Sequence, residues 1–356
     1  MATQPVQVAS PATGPTRVQE GWIDRLIGLP DRLPGPGALW LAALFLAIVL
    51  IGHLPGWLAG ESPIGNIEPY VLLPAIIFVY FLGLCRVMAR VGRSAFGEFR
   101  PALGPESADH DGLGRELTRI PDRQAAAAIG VAVLISLAAS MSADAFDDAN
   151  ALPPVGNATA WTLWFLAIAG LGLAVMYTVR QLRWVSRLYA MATNVDLFDT
   201  GPVNAFSRLT ATSAMGILLV ALTFLFGTDE SLGAGEGSRW FPLASGSALI
   251  LLAIASFLSP LRGMHRRLLT EKRRLLSEST ARLRQTLALI HGTVDARDFA
   301  QADDLQKTLS SLLAERDVLG RLPTWPWSPG ILRGFATAAV LPILLWVVIR
   351  VLERVV

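Results

Sequence analysis

One cysteine in 356 residues, Cys85, lies inside an apolar run. It has no partner with which to close an intramolecular disulfide or a cysteine-based zinc site, and it reads as a small packed hydrophobe. Charge is scarce as well, at 16% against about 25% in soluble domains, while 53% of the chain is hydrophobic. That composition makes the bilayer the expected solvent. The net charge of +2 is too small for a generally nucleic-acid-coating surface, and no nucleic-acid partner is expected.

Catalytic signatures are missing too. There is no phosphate-cradling glycine loop with a lysine, no His-Glu-x-x-His and no nucleophile elbow, so the chain is read as a non-enzyme with no cofactor. Asp109, His110 and Asp111 are adjacent, but no second histidine or cysteine lies nearby to complete a metal site. An enzyme built around His110 is the weakest of the functional readings, and no metal is expected. Aspartate, glutamate, lysine and arginine are absent from the apolar cores until their ends, which argues against an ion-coupled transporter. The last run contains no lysine, which disfavours a retinal protein. Residues 1–37 are polar and rich in proline and glycine, without a cleavable leader pattern, so the N-terminus is expected to be retained.

Long apolar runs dominate what is present. Crossing ~30 Å of hydrocarbon takes about 20 helical residues. Seven runs approach or meet that length, at 38–58, 69–89, 125–141, 160–179, 209–227, 240–261 and 331–349. The third, "AAAAIGVAVLISLAASM", is the shortest and most alanine-rich. An all-α, polytopic membrane protein with seven transmembrane helices is predicted.

Arginine placement sets the direction. With the N-terminus inside, 27 of the 30 lysines and arginines fall in cytoplasmic segments or at their edges, leaving Arg239, Arg350 and Arg354 outside. Acids such as Glu61, Glu68, Asp144, Asp229 and Glu236 gather on the external side. Removing the third span would send Arg180, Arg183, Arg187 and the tract beginning at Arg262 outward, so seven spans fit and six do not. The expected location is a bacterial-type cytoplasmic (inner) membrane, with the N-terminus cytoplasmic and the C-terminus external.

Ahead of the first span, "GWIDRLIGL" places Trp22, Ile23, Leu26, Ile27 and Leu29 on one arc, a short interfacial helix expected to be stopped before the membrane by Pro30 and the "PGPG" of 34–37. Residues 92–123 read as an irregular loop. Arg180, Arg183 and Arg187 share a face after the fourth span and are assigned to lipid phosphates. Asp199 or Thr200 is the expected cap of the next helix, with Pro202 in its first turn.

The stretch "RGMHRRLLTEKRRLL", 262–276, opens the one sizeable element outside the spans. Leu269, Leu276, Leu283 and Ile290 recur every seven residues, and Leu305, Leu312 and Leu319 do so beyond a break expected at Gly292. The pattern predicts a cytoplasmic antiparallel helical hairpin, coiled-coil-like, of roughly 40 Å, between the sixth and seventh helices. Lys272 is an exception, lying in the apolar sector. Trp325 and Trp327, among Pro323, Pro326 and Pro329, suit the return to the interface. Arg262, Arg266, Arg267, Arg273 and Arg274 are assigned to head groups at the hairpin's root.

Four segments follow: a tail with an interfacial helix (1–37), six membrane helices (38–261), the hairpin (262–324), and the seventh span with a short external end (325–356). The leading expectation is a membrane scaffold or signalling subunit whose hairpin leucines bind a protein partner or a second copy, with lipids as the other partner. The alternative is a channel or uncoupled transporter with a pore from spans five to seven, its path lined by hydroxyls such as Thr210, Ser213 and Ser256.

Overall fold

A computed structural model describes residues 21–32, 34–104, 110–142, 152–193, 196–226, 240–297, 300, 302–327, 330–340, 344 and 348. The described residues are helical, with no strand among them. In a bilayer each backbone N–H and C=O must be satisfied within its own segment, and the apolar runs accordingly form helices. These are α1 (Trp22–Arg32), α2 (Gly37–Leu58), α3 (Pro69–Phe99), α4 (His110–Thr118), α5 (Asp122–Ser142), α6 (Pro154–Met191), α7 (Thr200–Phe226), α8 (Trp240–Asp295) and α9 (Ala302–Arg321). A shorter apolar helix, α10 (Gly330–Val340), follows.

Among the described residues six helices, α2, α3, α5, α6, α7 and α8, are long and apolar enough to cross a bilayer, the build of a multi-pass membrane protein. They coincide with the first six runs. Of the seventh run, α10 and the isolated positions Leu344 and Val348 are described; Pro342 and the rest lie outside the described residues, as do Asp109, Asp144, Asp229, Glu236 and Arg239.

The alanine-rich third run is a full helix. Gly172 of α6 meets α5 so closely that a Cβ there would stand 2.7 Å from Ala132 Cβ and 2.9 Å from the Ala128 carbonyl oxygen. Trp164 Nε1 donates to Ser136 Oγ across the same pair at 3.2 Å. Contacts at both ends require this crossing. Glu61, between α2 and α3, accepts from the Val155 and Gly156 N–H groups at 3.0 and 2.8 Å, placing the start of α6 at the end where α2 finishes. Thr193, just beyond α6, donates to Leu103 O at 3.2 Å at the opposite, arginine-rich end.

Several boundaries differ from expectation. Helix α1 passes Pro30 and ends at Arg32, ahead of the proline–glycine stretch at 34–37. The segment 92–123 is more ordered than its glycines and prolines imply: α3 continues to Phe99, a 3₁₀ turn spans Arg100–Leu103, and α4 follows. Gly114 lets α4 approach Phe96, whose ring carbons would be 2.9 Å from a Cβ. At the start of α7 the expectation holds, with Asp199 Oδ1 accepting from the Gly201 N–H at 3.1 Å. Helix α8 passes Gly292 and ends at Asp295, with Arg297 in the left-handed region at φ 56°.

The core lies among α3, α6, α7 and α8 and extends past the apolar runs into the arginine-rich end. Phe99, Tyr189 and Phe206 meet there as a triad with centroids 5.0–5.5 Å apart. Helix α7 is largely enclosed, whereas α2 and α5 present Leu46, Leu50, Leu134 and Ile135 outward, where lipid tails cover them without cost.

Candidate functional site

The arginine-rich end collects most of the residues singled out from the sequence, and the fold sorts them into two groups. Arg180 is held by protein: its guanidinium donates to Glu116 Oε2 at 2.7 Å and to the Arg119 carbonyl at 3.0 Å, fastening α6 to α4. Arg267 donates to the Ala190 and Ala192 carbonyls at 2.6 and 2.8 Å, satisfying the end of α6. Arg274 pairs with Glu271 and Glu278 on its own helix. Arg183, Arg187, Arg262, Arg266 and Arg273 are exposed, with no ion pair among the described residues, and Arg187 lies over the Trp184 ring at 5.2 Å.

Beyond this root, α9 runs back beside α8. Lys272 Nζ donates to the Gly320 and Leu322 carbonyls at 2.7 and 2.8 Å, and Arg282 stands 3.8 Å from Glu315. Lys272 is therefore not a flaw in the apolar sector; its ammonium serves the orphan carbonyls where α9 ends. Of the seven-residue repeat, Leu283 and Leu319 are buried, and Leu269, Leu276, Ile290, Leu305 and Leu312 are half-buried. Between the repeat leucines of α8 fall the buried Ser279 and Thr286, small residues that permit close helix approach.

The return segment is fixed by a column of five aromatic rings. Phe335 of α10 stacks on Phe257 at 4.3 Å, Phe257 on Trp327 at 5.6 Å, Trp327 on Trp325 at 4.4 Å, and Trp325 on His265 at 3.9 Å, all within 19° of parallel. His265 Nδ1–H donates to the Thr324 carbonyl at 2.8 Å, which fixes the ring's tautomer and orientation. The tryptophans were legible as interface anchors. Their alignment with Phe257 and His265, some sixty residues away, was not, because ring stacking leaves no periodic trace.

Polar side chains within the spans bond mainly to nearby backbone. His53 donates from Nδ1 to Val49 O at 2.7 Å and accepts at Nε2 from the Glu68 N–H at 2.8 Å, capping α3. Thr210 and Ser213 donate to carbonyls of their own helix at 3.0 Å rather than to a path between helices. Ser256 Oγ is buried without a hydrogen bond among the described residues. No group of three histidine, cysteine or carboxylate side chains placed to hold a metal occurs among the described residues.

At the base of the same end, α1 docks through the buried Ile23 while Trp22, Leu26 and Leu29 stay exposed. Asp24 Oδ1 accepts from the Ile120 N–H at 3.0 Å. Burial holds the Asp24 carboxyl above its usual range, against the lowering effect of the Ile120 and Gly21 N–H groups and of Arg119. A raised carboxyl pKa means the folded chain takes up a proton more readily than the unfolded one, so stability falls as pH rises through the folded value. Asp24→Asn keeps the acceptor and removes that linkage. Its thermal midpoint at pH 7 should equal or exceed the parent's, the gap closing toward acid pH; a lower midpoint at pH 7 would show that the charge itself is needed. The chain matches no protein-family model, no curated protein and no solved structure.

Proposed function

We propose that the chain is a seven-span scaffold or signalling subunit of a bacterial-type inner membrane, with its N-terminus in the cytoplasm and its C-terminus outside. Its working element is a helical hairpin, formed by the second half of α8 and by α9, that engages a protein partner or a second copy. The observation that carries this reading is the continuity of α8. Its 56 residues, roughly 84 Å of helix, run from a membrane-length apolar half directly into the arm against which α9 packs.

The register supports a paired arm. The contacts of Lys272 and Arg282 bring Leu276 level with Leu319, Leu283 with Leu312, and Ile290 with Leu305, three apolar layers one heptad apart. Arg183, Arg187, Arg262 and Arg266, exposed at the root, are placed to meet anionic head groups, each contributing on the order of 1 kcal/mol. The aromatic column and Lys272 then hold the arm at a set angle to the spans.

Deleting residues 265–320 should leave a chain that still reaches the membrane but recovers no partner and no second copy in a crosslinking pull-down from native membranes. Unchanged recovery would remove the arm from the function. A pore through spans five to seven, the competing reading, predicts instead a conductance in reconstituted vesicles that Ser256→Leu abolishes.

A further inference from the structure

The arm has two flanks of different character. Taking 100° per residue, Arg266, Arg273, Thr280, Leu287 and Val294 form one line along α8 beside the ridge that meets α9, and Gln306, Leu313 and Gly320 form the matching line on α9. Both lines lie on the same side of the arm, opposite the side on which Arg282 meets Glu315. Leu287, Val294 and Leu313 are exposed there, at 37, 53 and 50%. A Cβ at Gly320 would meet nothing within 4 Å. On the other flank Leu289 and Val318 are also exposed, but they stand about 18 Å apart along the axis with the Arg282–Glu315 pair between them. The first flank is thus apolar toward the tip and basic toward the root.

We infer that this flank is the contact between two copies of the chain, related by a two-fold axis along the membrane normal; the inference rests on the paired arm proposed above. Copies in one membrane share orientation and depth, so residues meet only at matching levels, and the two-fold is the symmetry that closes such a contact. It sets α8 of each copy against α9 of the other, giving a bundle of four helices with antiparallel neighbours. In the arm's register Leu313 of one copy lies within about 7 Å, along the axis, of Leu287 of the other. Asp317 on α9 is 59% exposed and pairs with Arg321 one turn on at 2.9 Å, an exposed i, i+4 pair that holds it only weakly; it falls midway between the levels of Arg273 and Arg284, which are exposed and without an ion pair among the described residues. Charge and apolar surface are therefore complementary under the same operation. A lipid surface fits the flank less well, since Arg273 and Arg284 lie about 16 and 33 Å beyond Arg262 along a continuous helix, past the ~8 Å screening length.

The test uses introduced cysteines, because the one native thiol, Cys85, is buried. Two differently tagged full-length chains, one Leu287→Cys and the other Leu313→Cys, are co-expressed and oxidised in native membranes. A disulfide joining the two tags should form at least fivefold more readily than with the Leu289→Cys and Val318→Cys pair. Arg273→Glu should lower the yield, and Asp317→Arg in the other chain should restore it. A Leu283→Cys, Leu312→Cys double variant reports on the arm itself. If that bond fails to close within one chain, the paired arm and the two-fold contact both fall. If it closes while the 287–313 link is no commoner than the control, or Leu313→Cys captures a different protein instead, the two-fold contact is overturned and the paired arm stands.

Discussion

Gly172→Leu should cost about 3 kcal/mol, the upper end of what overpacking costs, because the new side chain would have to displace helix backbone rather than a flexible tip. The Ala128 carbonyl and Ala132 Cβ leave no room at the α5–α6 crossing, and neither neighbour has a rotamer through which to retreat. Gly172→Ala should fall between parent and leucine. Gly130→Leu supplies the control, since no atom lies within 4 Å of a Cβ at that position and the added side chain extends freely. Thermal midpoints of the purified protein in detergent distinguish the three. A parental midpoint for Gly172→Leu would mean that α5 is not held where it is described, and with it the alternation of ends that Glu61 and Thr193 mark.

A second large effect is expected at Phe257. It is 1% exposed, lies between the Phe335 and Trp327 rings, and is surrounded by Ala211, Ala214, Leu258 and Ile331. Phe257→Ala should cost about 3–5 kcal/mol, combining lost burial with a cavity that the rigid column cannot collapse into. The measurable consequence is local as well as global: residues 322–327 should become a preferred site for protease, because their tryptophans lose the ring against which they stack. Phe257→Leu should restore much of the stability but less of the protection, since leucine fills volume without offering a ring face. Equal protease resistance in parent and Phe257→Ala would show that the column does not secure the return segment.

Apolar runs were a sound guide to helix existence because lipid leaves the backbone no alternative, and the described residues of the first six runs all lie in helices of spanning length. Length beyond the runs was harder to read. The continuation of α6 past its apolar stretch was legible in the spacing of Arg180, Arg183 and Arg187; that of α3 was not, because it rests on the core that Phe99 shares with Tyr189 and Phe206, a tertiary reason that no window of sequence contains. Helix α4 was missed for the same cause: nine residues with two glycines carry little intrinsic helicity, and it is the Arg180 clasp on Glu116 and the fit of Gly114 against Phe96 that hold it. Among the site residues, the heptad leucines were visible as a pattern, and the arginines as a group. Which arginines are bound by carbonyls and carboxylates and which face outward depends on where α4, α6 and α8 end relative to one another. Lys272 is the clearest case, visible as an anomaly and explicable only once the carbonyls of Gly320 and Leu322 are beside it.

The unbroken course of α8 has a mechanical consequence. Pro260 removes one backbone hydrogen bond from the helix at the border between its apolar and charged halves, so bending compliance is concentrated there. Rotation about the long axis meets no such release, because the covalent spiral continues through the proline. Phe257 and His265 flank that proline and are bridged by Trp327 and Trp325, so the stacked rings brace the compliant joint against tilt, while a torque applied near Asp295 runs along the same helix toward residue 240.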